Sequence, residues 1–515
     1  MPASAGTDQS MKGKQKMGMS EKKIRTIITQ DAEVDDQNSL RHFLFYANEV
    51  ELQGIVQTSS KFHWQGVPGA VKPSGVLEDD FGVSDNGPYD KPYRWPGTEW
   101  MMRVIDDYEK DYPQLKKHAE GYPSPHELRS MTKVGNIGYE GEMETPSEGS
   151  ELIRSRILDD DDRPLYLQVW GGTNTIARAL LDIENEYRDT PEWPSLQKKI
   201  TEKVVITACG EQDPAYREYV AESWPGIPFV KTLQMQSYAY PWFVMPEGES
   251  KDTLRAEFMK PEILDGKSAL TDGYCTWLDG HVYEGEGPAG QFGANPNIVN
   301  EWFGAKAGLP AQPGKYDFLS EGDSPTYIIL LPWGFRTLEN FAWGGMAGRY
   351  HKVEGQFNSK GEPLNIWDVS LDHYTDREGR TSEVESMWPY VADVQRDFAA
   401  RAGWVDAENF SDGEHAPALT VEEGTDLSGA AGGEVVLHAC ASGPDQTEIT
   451  VTARIYAEAS ASWAADAVLR QEGNAFTVKL PASAVPGDRL HVILKAQAGG
   501  RYRLVHYQQV ILSVR

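Results

Sequence analysis

The feature that most constrains this chain is a strand–helix–strand pattern near its start that returns further on. Ile24–Thr29 (IRTIIT) is short and β-branched, as a buried strand is. Leu40, Phe43, Leu44 and Ala47 then recur at helical spacing, and Val50–Ser59 reads as a second strand. Such a unit implies a parallel sheet with a right-handed crossover. The pattern reappears at Pro164–Trp170, followed by the helical TNTIARALLDI, and again at Lys203–Cys209. These segments predict an α/β domain whose mainly parallel sheet is flanked by helices. Residues 61–150 and 235–320 read as loop-rich, and long loops in a compact domain tend to cover a site.

Past residue 417 the texture changes. EVVLHACA, EITVTARIY, AFTVKLPA, RLHVILKAQ and LVHYQQVIL alternate with a period of two, separated by turn signals such as SGPDQ and VPGDR. Short strands of this kind predict an all-β, immunoglobulin-like sandwich. The expected organisation is a disordered leader over 1–22, a catalytic α/β domain over 23–417 and an accessory sandwich over 418–515. Lys+Arg 49 against Asp+Glu 78 gives a net charge of −29, which argues against a nucleic-acid or anionic-membrane partner. Cys209, Cys275 and Cys440 lie far apart without a CxxC, so neither a disulfide framework nor zinc spacing is present. No apolar stretch reaches the length of a membrane span, and the first residues lack a secretory apolar core. The expected compartment is the cytoplasm, or the exterior if a signal has been removed.

Asp31, Glu33, Asp35 and Asp36 follow the first strand directly. Ligands in open α/β sheets bind at the carboxyl ends of strands. Two accounts are open from these residues alone. The acids complement the dipole of the helix they begin, or they converge on a hard cation that takes further oxygens from other strand ends.

The run resembles the nucleoside-hydrolase fingerprint DxDPGxDD. Asp31, Asp35 and Asp36 match its last three acids, Thr29 stands at the first, and AEV replaces the PG turn. VWGGTN resembles a strand ending in GPLTN, with Thr173 at the residue that offers its carbonyl to metal. EGDSPTYIILLP resembles the late histidine–aspartate pair, with Asp323 at the aspartate and Gly322 at the histidine. With WGGMAGRY (Trp343–Tyr350), DFAARAGW (Asp397–Trp404) and the trailing β domain, these motifs resemble the Sde182-type nucleoside-hydrolase-like family, whose members have been labelled cellulose-binding.

The resemblance implies a Ca2+ site at Asp31, Asp36, the Thr173 carbonyl and Asp323, with Asp31 as general base and Asp35 on sugar hydroxyls. With the histidine missing, Glu321 becomes the first candidate for proton donor, ahead of Glu33 and Asp213. Glu33, Asn174, Gln212, Asp213 and Trp64 are expected substrate contacts. The blander readings are a helix-start acid for Glu321, a structural salt bridge for Arg349 and a surface position for His42. Trp242, Trp333 and Trp343 lie where they would suit a carbohydrate groove. The implied activity is a calcium-dependent, inverting glycoside hydrolase acting on a furanosyl or related glycan. Alternatives are a nucleoside N-ribohydrolase and a non-catalytic carbohydrate binder. Nucleoside hydrolases commonly oligomerise, so a homo-oligomer is a further expectation.

Overall fold

A computed structural model describes residues 23–72, 78–83, 87–303 and 312–515. The expected leader, residues 1–22, lies outside them. The first strand of the pattern is β1, Arg25–Gln30, every residue of which is buried. It is followed by α1, Val34–Leu44, and β2, Glu51–Gln57. The sheet continues with β3 (Thr132–Val134), β4 (Leu165–Val169), β5 (Val204–Ala208), β6 (Phe229–Lys231), β7 (Tyr350–Lys352) and β8 (Ile366–Val369). Strand order is β3-β2-β1-β4-β5-β6-β8-β7, and all neighbours are parallel except β8 and β7. Burial on both faces explains the continuous apolar runs of β1, β4 and β5. The order turns back between β1 and β4, so a crevice opens beyond their carboxyl ends, where Asp31 and Gly171 lie.

Residues 61–150 carry more helix than their composition suggests: Trp100–His118, Pro125–Met131 and Glu148–Ile157. The long one is amphipathic, with Val104, Ile105, Tyr108 and Leu115 buried and Lys116 and Lys117 outside. The short strands β3, β6, β7 and β8 are too brief to carry a pattern of their own. Helix Val391–Gly403 closes the back of the domain, and its Phe398 stacks on His42 with ring centres 3.8 Å apart. His42 is therefore fully buried, not the surface residue that its polarity suggests. Among the described residues, no helix is long and apolar enough to cross a membrane.

Between Ala418 and Val514 the chain forms two four-stranded sheets. Their facing sides supply Leu437, Phe476, Val478, Leu490, Leu494 and Leu512 to one core. Alternation explains the pattern, with Leu437 and Ala439 inward and His438 and Cys440 exposed. The sandwich does not hang free. Tyr456, Ile493, Val505 and Tyr507 join the apolar core of the first domain. At the same junction His415 donates to or accepts from His118 at 3.1 Å and pairs with Asp445 at 2.8 Å. Cys209 and Cys275 are buried free thiols and Cys440 is an exposed one.

Candidate functional site

The acidic run begins with a strained turn. Ala32 has φ 80°, a left-handed conformation that costs a residue with a Cβ about 1–2 kcal/mol. The turn folds Asp31 back under the start of α1, where its N–H donates to Asp36 Oδ1 at 3.0 Å and its Oδ1 accepts from the Glu33 N–H at 3.2 Å. β4 can approach because its end is Gly171–Gly172. A Cβ on Gly171 would lie 2.7 Å from that of Asp31, and one on Gly172 would lie 2.4 Å from the Ser59 carbonyl oxygen.

A cavity of about 470 Å3 opens above these strand ends. Asp35, Asp36 and Asp323 lie along its acidic side, and one oxygen from each falls within 4.8 Å of the others. All three side chains are buried. Ser320 donates to Asp35 Oδ2 at 3.2 Å, but Asp35 Oδ1 and Asp323 Oδ2 have no hydrogen-bond partner. Burial, with the nearby charges of Glu33 and Asp31, pushes Asp35 up to about 8. Burial and neighbouring carboxylates hold Asp36 and Asp323 well above the usual carboxylate range. Unpartnered oxygens converging in this way are the donor set of a hard divalent cation.

The neighbouring acids are arranged differently. His63 stands with Nδ1 3.6 Å from Asp31 Oδ2 and Nε2 2.7 Å from Glu286 Oε1. Arg94 donates Nε to Glu286 Oε2 at 2.7 Å and Nη2 to Glu33 Oε1 at 3.3 Å. Asp31, His63, Glu286, Arg94 and Glu33 thus form a chain of alternating charge. Burial and the Arg94 charge oppose protonation of His63, but Asp31 and Glu286 outweigh them and push it up to about 9. The cation of His63 in turn holds Asp31 below the ordinary range despite its burial. Burial raises Glu33 even against the pull of Arg94 and His63.

The opposite side of the cavity is aromatic and apolar, formed by Phe62, Phe81, Tyr93, Tyr240, Trp302 and Phe303. Tyr240 and Trp302 lie with ring centres 5.2 Å apart, and Tyr240 Oη is 3.4 Å from Glu33 Oε1.

Several expected assignments change. Asp31 faces His63 and does not line the cavity. The Thr173 carbonyl accepts the Ala177 N–H at 2.9 Å as the first bond of helix Asn174–Tyr187, and Asp35, expected on sugar hydroxyls, groups with Asp36 and Asp323. Glu321 comes to the same strand end, but its carboxylate turns away into the core. It bonds there to His42 Nδ1 at 2.7 Å and to the hydroxyls of Tyr274 and Ser324. Consecutive side chains in a tight turn point different ways, and Asp323, not Glu321, takes the direction of the cavity.

Asn174 ties loops together through Ser59 Oγ and the Asn136 and Glu142 carbonyls, while Asp213 accepts the N–H groups of Asn174 and Ala215. Trp64 is fully buried and stacks on Tyr93 with centres 4.7 Å apart. None of these three lines the cavity; Gln212 and Glu33 do. Trp302 is the tryptophan of the aromatic wall, whereas Trp242 and Trp333 are core residues and Trp343 packs beside His491 at the sandwich. Gly322 lines the cavity, and a Cβ there would lie 3.2 Å from Asp35 Oδ2. Arg349 pairs with Asp372 at 2.8 Å, the structural bridge of the blander reading. His63, Arg94 and Glu286 were missed. The one local signal is that His63 lies just beyond the second strand region, Val50–Ser59, beside Trp64.

Two family models and one solved structure agree with this architecture. A family model described as cellulose-binding Sde182, nucleoside hydrolase-like domain, matches residues 25–350. A second, for the C-terminal domain of cellulose-binding protein Sde0182, matches residues 434–514. No curated protein sequence matches the chain. A nucleoside hydrolase-related hypothetical protein from Saccharophagus degradans, described as associated with carbohydrate metabolism, superposes with a TM-score of 0.66 at 22% identity, covering 96% of this chain and 100% of its own. A plant nucleoside hydrolase gives a TM-score of 0.32 at 9% identity, covering 73% and 98%.

Proposed function

Because the chain belongs to the cellulose-binding Sde182, nucleoside-hydrolase-like family, we propose that it hydrolyses glycosidic bonds, taking one sugar ring of a furanosyl or related glycan into the cavity with a calcium ion beside it. One observation carries the reading: three buried carboxylates converge on the cavity, and two of their oxygens, Asp35 Oδ1 and Asp323 Oδ2, have no hydrogen-bond partner. Asp35, Asp36 and Asp323 would hold the ion, in place of the expected set that included Asp31 and Thr173. When bound, calcium would supply positive charge that polarises a water or a sugar hydroxyl.

The chain's own residues account for the rest. Glu33 lines the cavity, and burial raises its pKa, the direction that suits a proton donor to the departing glycosidic oxygen. Arg94 and Tyr240 fix its carboxyl group by hydrogen bonds. With the ion bound Asp35 would be ionised, and its carboxylate would accept the proton of the attacking water. Tyr240 and Trp302 pack against the apolar face of the sugar. A single displacement by water inverts the anomeric centre.

A second reading, a carbohydrate binder without turnover, is favoured by a specific contact. Asp31, the base that the resemblance supplies, is tied to His63. Calcium titration of chelator-treated protein by calorimetry, with Asp36→Ala as control, tests the ion. Cello-oligosaccharides, arabinofuranosides, inosine and uridine then test turnover. Calcium binding abolished by the substitution, with release of reducing sugar, supports the hydrolase. Sugar binding without any product establishes the binder, and free base from inosine or uridine establishes a nucleosidase. No calcium binding at millimolar concentration removes the metal from the reading.

A further inference from the structure

A second cavity, of about 370 Å3, lies between the two domains, far along the chain from the acidic run. Its volume falls within the ~300–1,000 Å3 of small-molecule sites. The hairpin Leu371–Thr375/Thr381–Glu385 and the turn after it contribute Asp372, His373, Tyr374 and Tyr390. The sandwich contributes Arg454, Tyr456, Glu458 and Lys495. Neither domain makes the site alone.

Most charges in this cleft are satisfied. Asp372 pairs with Arg349 at 2.8 Å and accepts the hydroxyl of Tyr456. Glu458 pairs with His373 at 3.1 Å, and Lys495 with Asp393 at 2.8 Å. Arg454 is the exception: it is exposed and forms no carboxylate ion pair among the described residues. Its guanidinium lies 4.6 Å from the ring centre of Tyr456, and Nη2 donates to the Tyr390 hydroxyl at 2.6 Å. A guanidinium has five N–H donors in a planar fork, so most of them stay open to a ligand. An arginine held by stacking with its fork open is placed to take a carboxylate through local contact, even though the net charge of −29 opposes the approach of anions in general.

We propose that this cleft is a second saccharide site, which binds the carboxylate of a uronate-bearing oligosaccharide on Arg454. The fork matches a carboxylate through two parallel hydrogen bonds. Tyr374 offers a ring face to the sugar, and Glu458 offers an acceptor to its hydroxyls. The acids Asp372 and Glu458 in the same cleft oppose a phosphate dianion more than a singly charged carboxylate.

The test is calorimetry on the full chain with trigalacturonate, cellotriose and inorganic phosphate. The expected result is trigalacturonate binding that weakens with salt, with cellotriose weaker by roughly tenfold or more. Arg454→Gln should lose about tenfold in affinity, Arg454→Lys less, and Asp323→Asn nothing, which separates this site from the acidic cavity. Thermal midpoints of the variants report folding; if Arg454→Gln fails to fold, Arg454→Lys carries the test, because it keeps the charge and loses the fork. Absence of trigalacturonate binding at millimolar concentration overturns the proposal. So does equal affinity for cellotriose, competition by phosphate at equal concentration, or binding that Asp323→Asn removes and the Arg454 variants keep.

Discussion

Two groups of carboxylates lie side by side at the carboxyl ends of β1 and β4, and the protein treats them in opposite ways. Asp31, Glu33 and Glu286 are interleaved with His63 and Arg94, so each acid faces a cation of the chain itself. Asp35, Asp36 and Asp323 receive no such partner, although they are buried as well. Without a cation, the second group can remain buried only by keeping protons, which is the direction in which burial moves its pKa values. The first group is neutralised by cations of the chain, with Asp31 Oδ2 and His63 Nδ1 left without a hydrogen bond. The second is complete only with something added from solution, and it is the one that faces the cavity.

The contrast can be broken from either side. His63→Gln removes the cation between Asp31 and Glu286 and should cost about 3–5 kcal/mol of stability, as loss of one member of a buried pair does, measured by urea unfolding. The same pairing sets a pH window. His63 is raised from 6.5 to about 9, so its contribution is fully present below pH 6.5 and is lost as pH rises through 9. Stability of the parent protein should fall across that window, and that of His63→Gln should fall less.

Asp323→Asn acts on the other group. It should weaken calcium binding by roughly 100-fold or more in calorimetry. In metal-free protein near neutral pH it should raise the thermal midpoint, because an acid that must hold its proton when buried, and releases it on unfolding, is gone. A fall in that midpoint would show that the triad is internally satisfied after all. A gentler probe is pH: with Asp35 near 8 and Asp36 and Asp323 also raised, calcium must displace protons, so its affinity should rise with pH through about 8. Proton release, read from calorimetry in buffers of different ionisation enthalpy, checks the sign. The smallest expected effect is at the turn that sets both groups: Ala32→Gly relieves the left-handed strain and should stabilise by less than about 1 kcal/mol, after the entropy that glycine adds to the unfolded chain.

The parts of this arrangement that could be read from the sequence are those with a local signature. β1, α1, β2, β4 and β5 announce themselves by apolar runs and helical spacing, and the sandwich by alternation. Asp35, Asp36 and Asp323 follow from strand ends and from a family motif. His63, Arg94 and Glu286 share no periodicity and come from three separated loops, so only the folded chain brings them together. Thr173 and Glu321 show the converse limit. Each lies at the right strand end, but the direction of a carbonyl or a side chain depends on hydrogen bonds, to Ala177 and to His42, that spacing does not encode.

The stacking of Phe398 on His42 also fixes an order of events during synthesis. The first helix leaves the ribosome early, but the ring that seals its inner side is added roughly 350 residues later, about 20–70 s at ribosomal rates. Tyr46 meets His42 at once, but Glu321, Tyr327 and Phe398 join it only in the last part of that interval. The first helix of the domain is thus among the last elements to complete its packing.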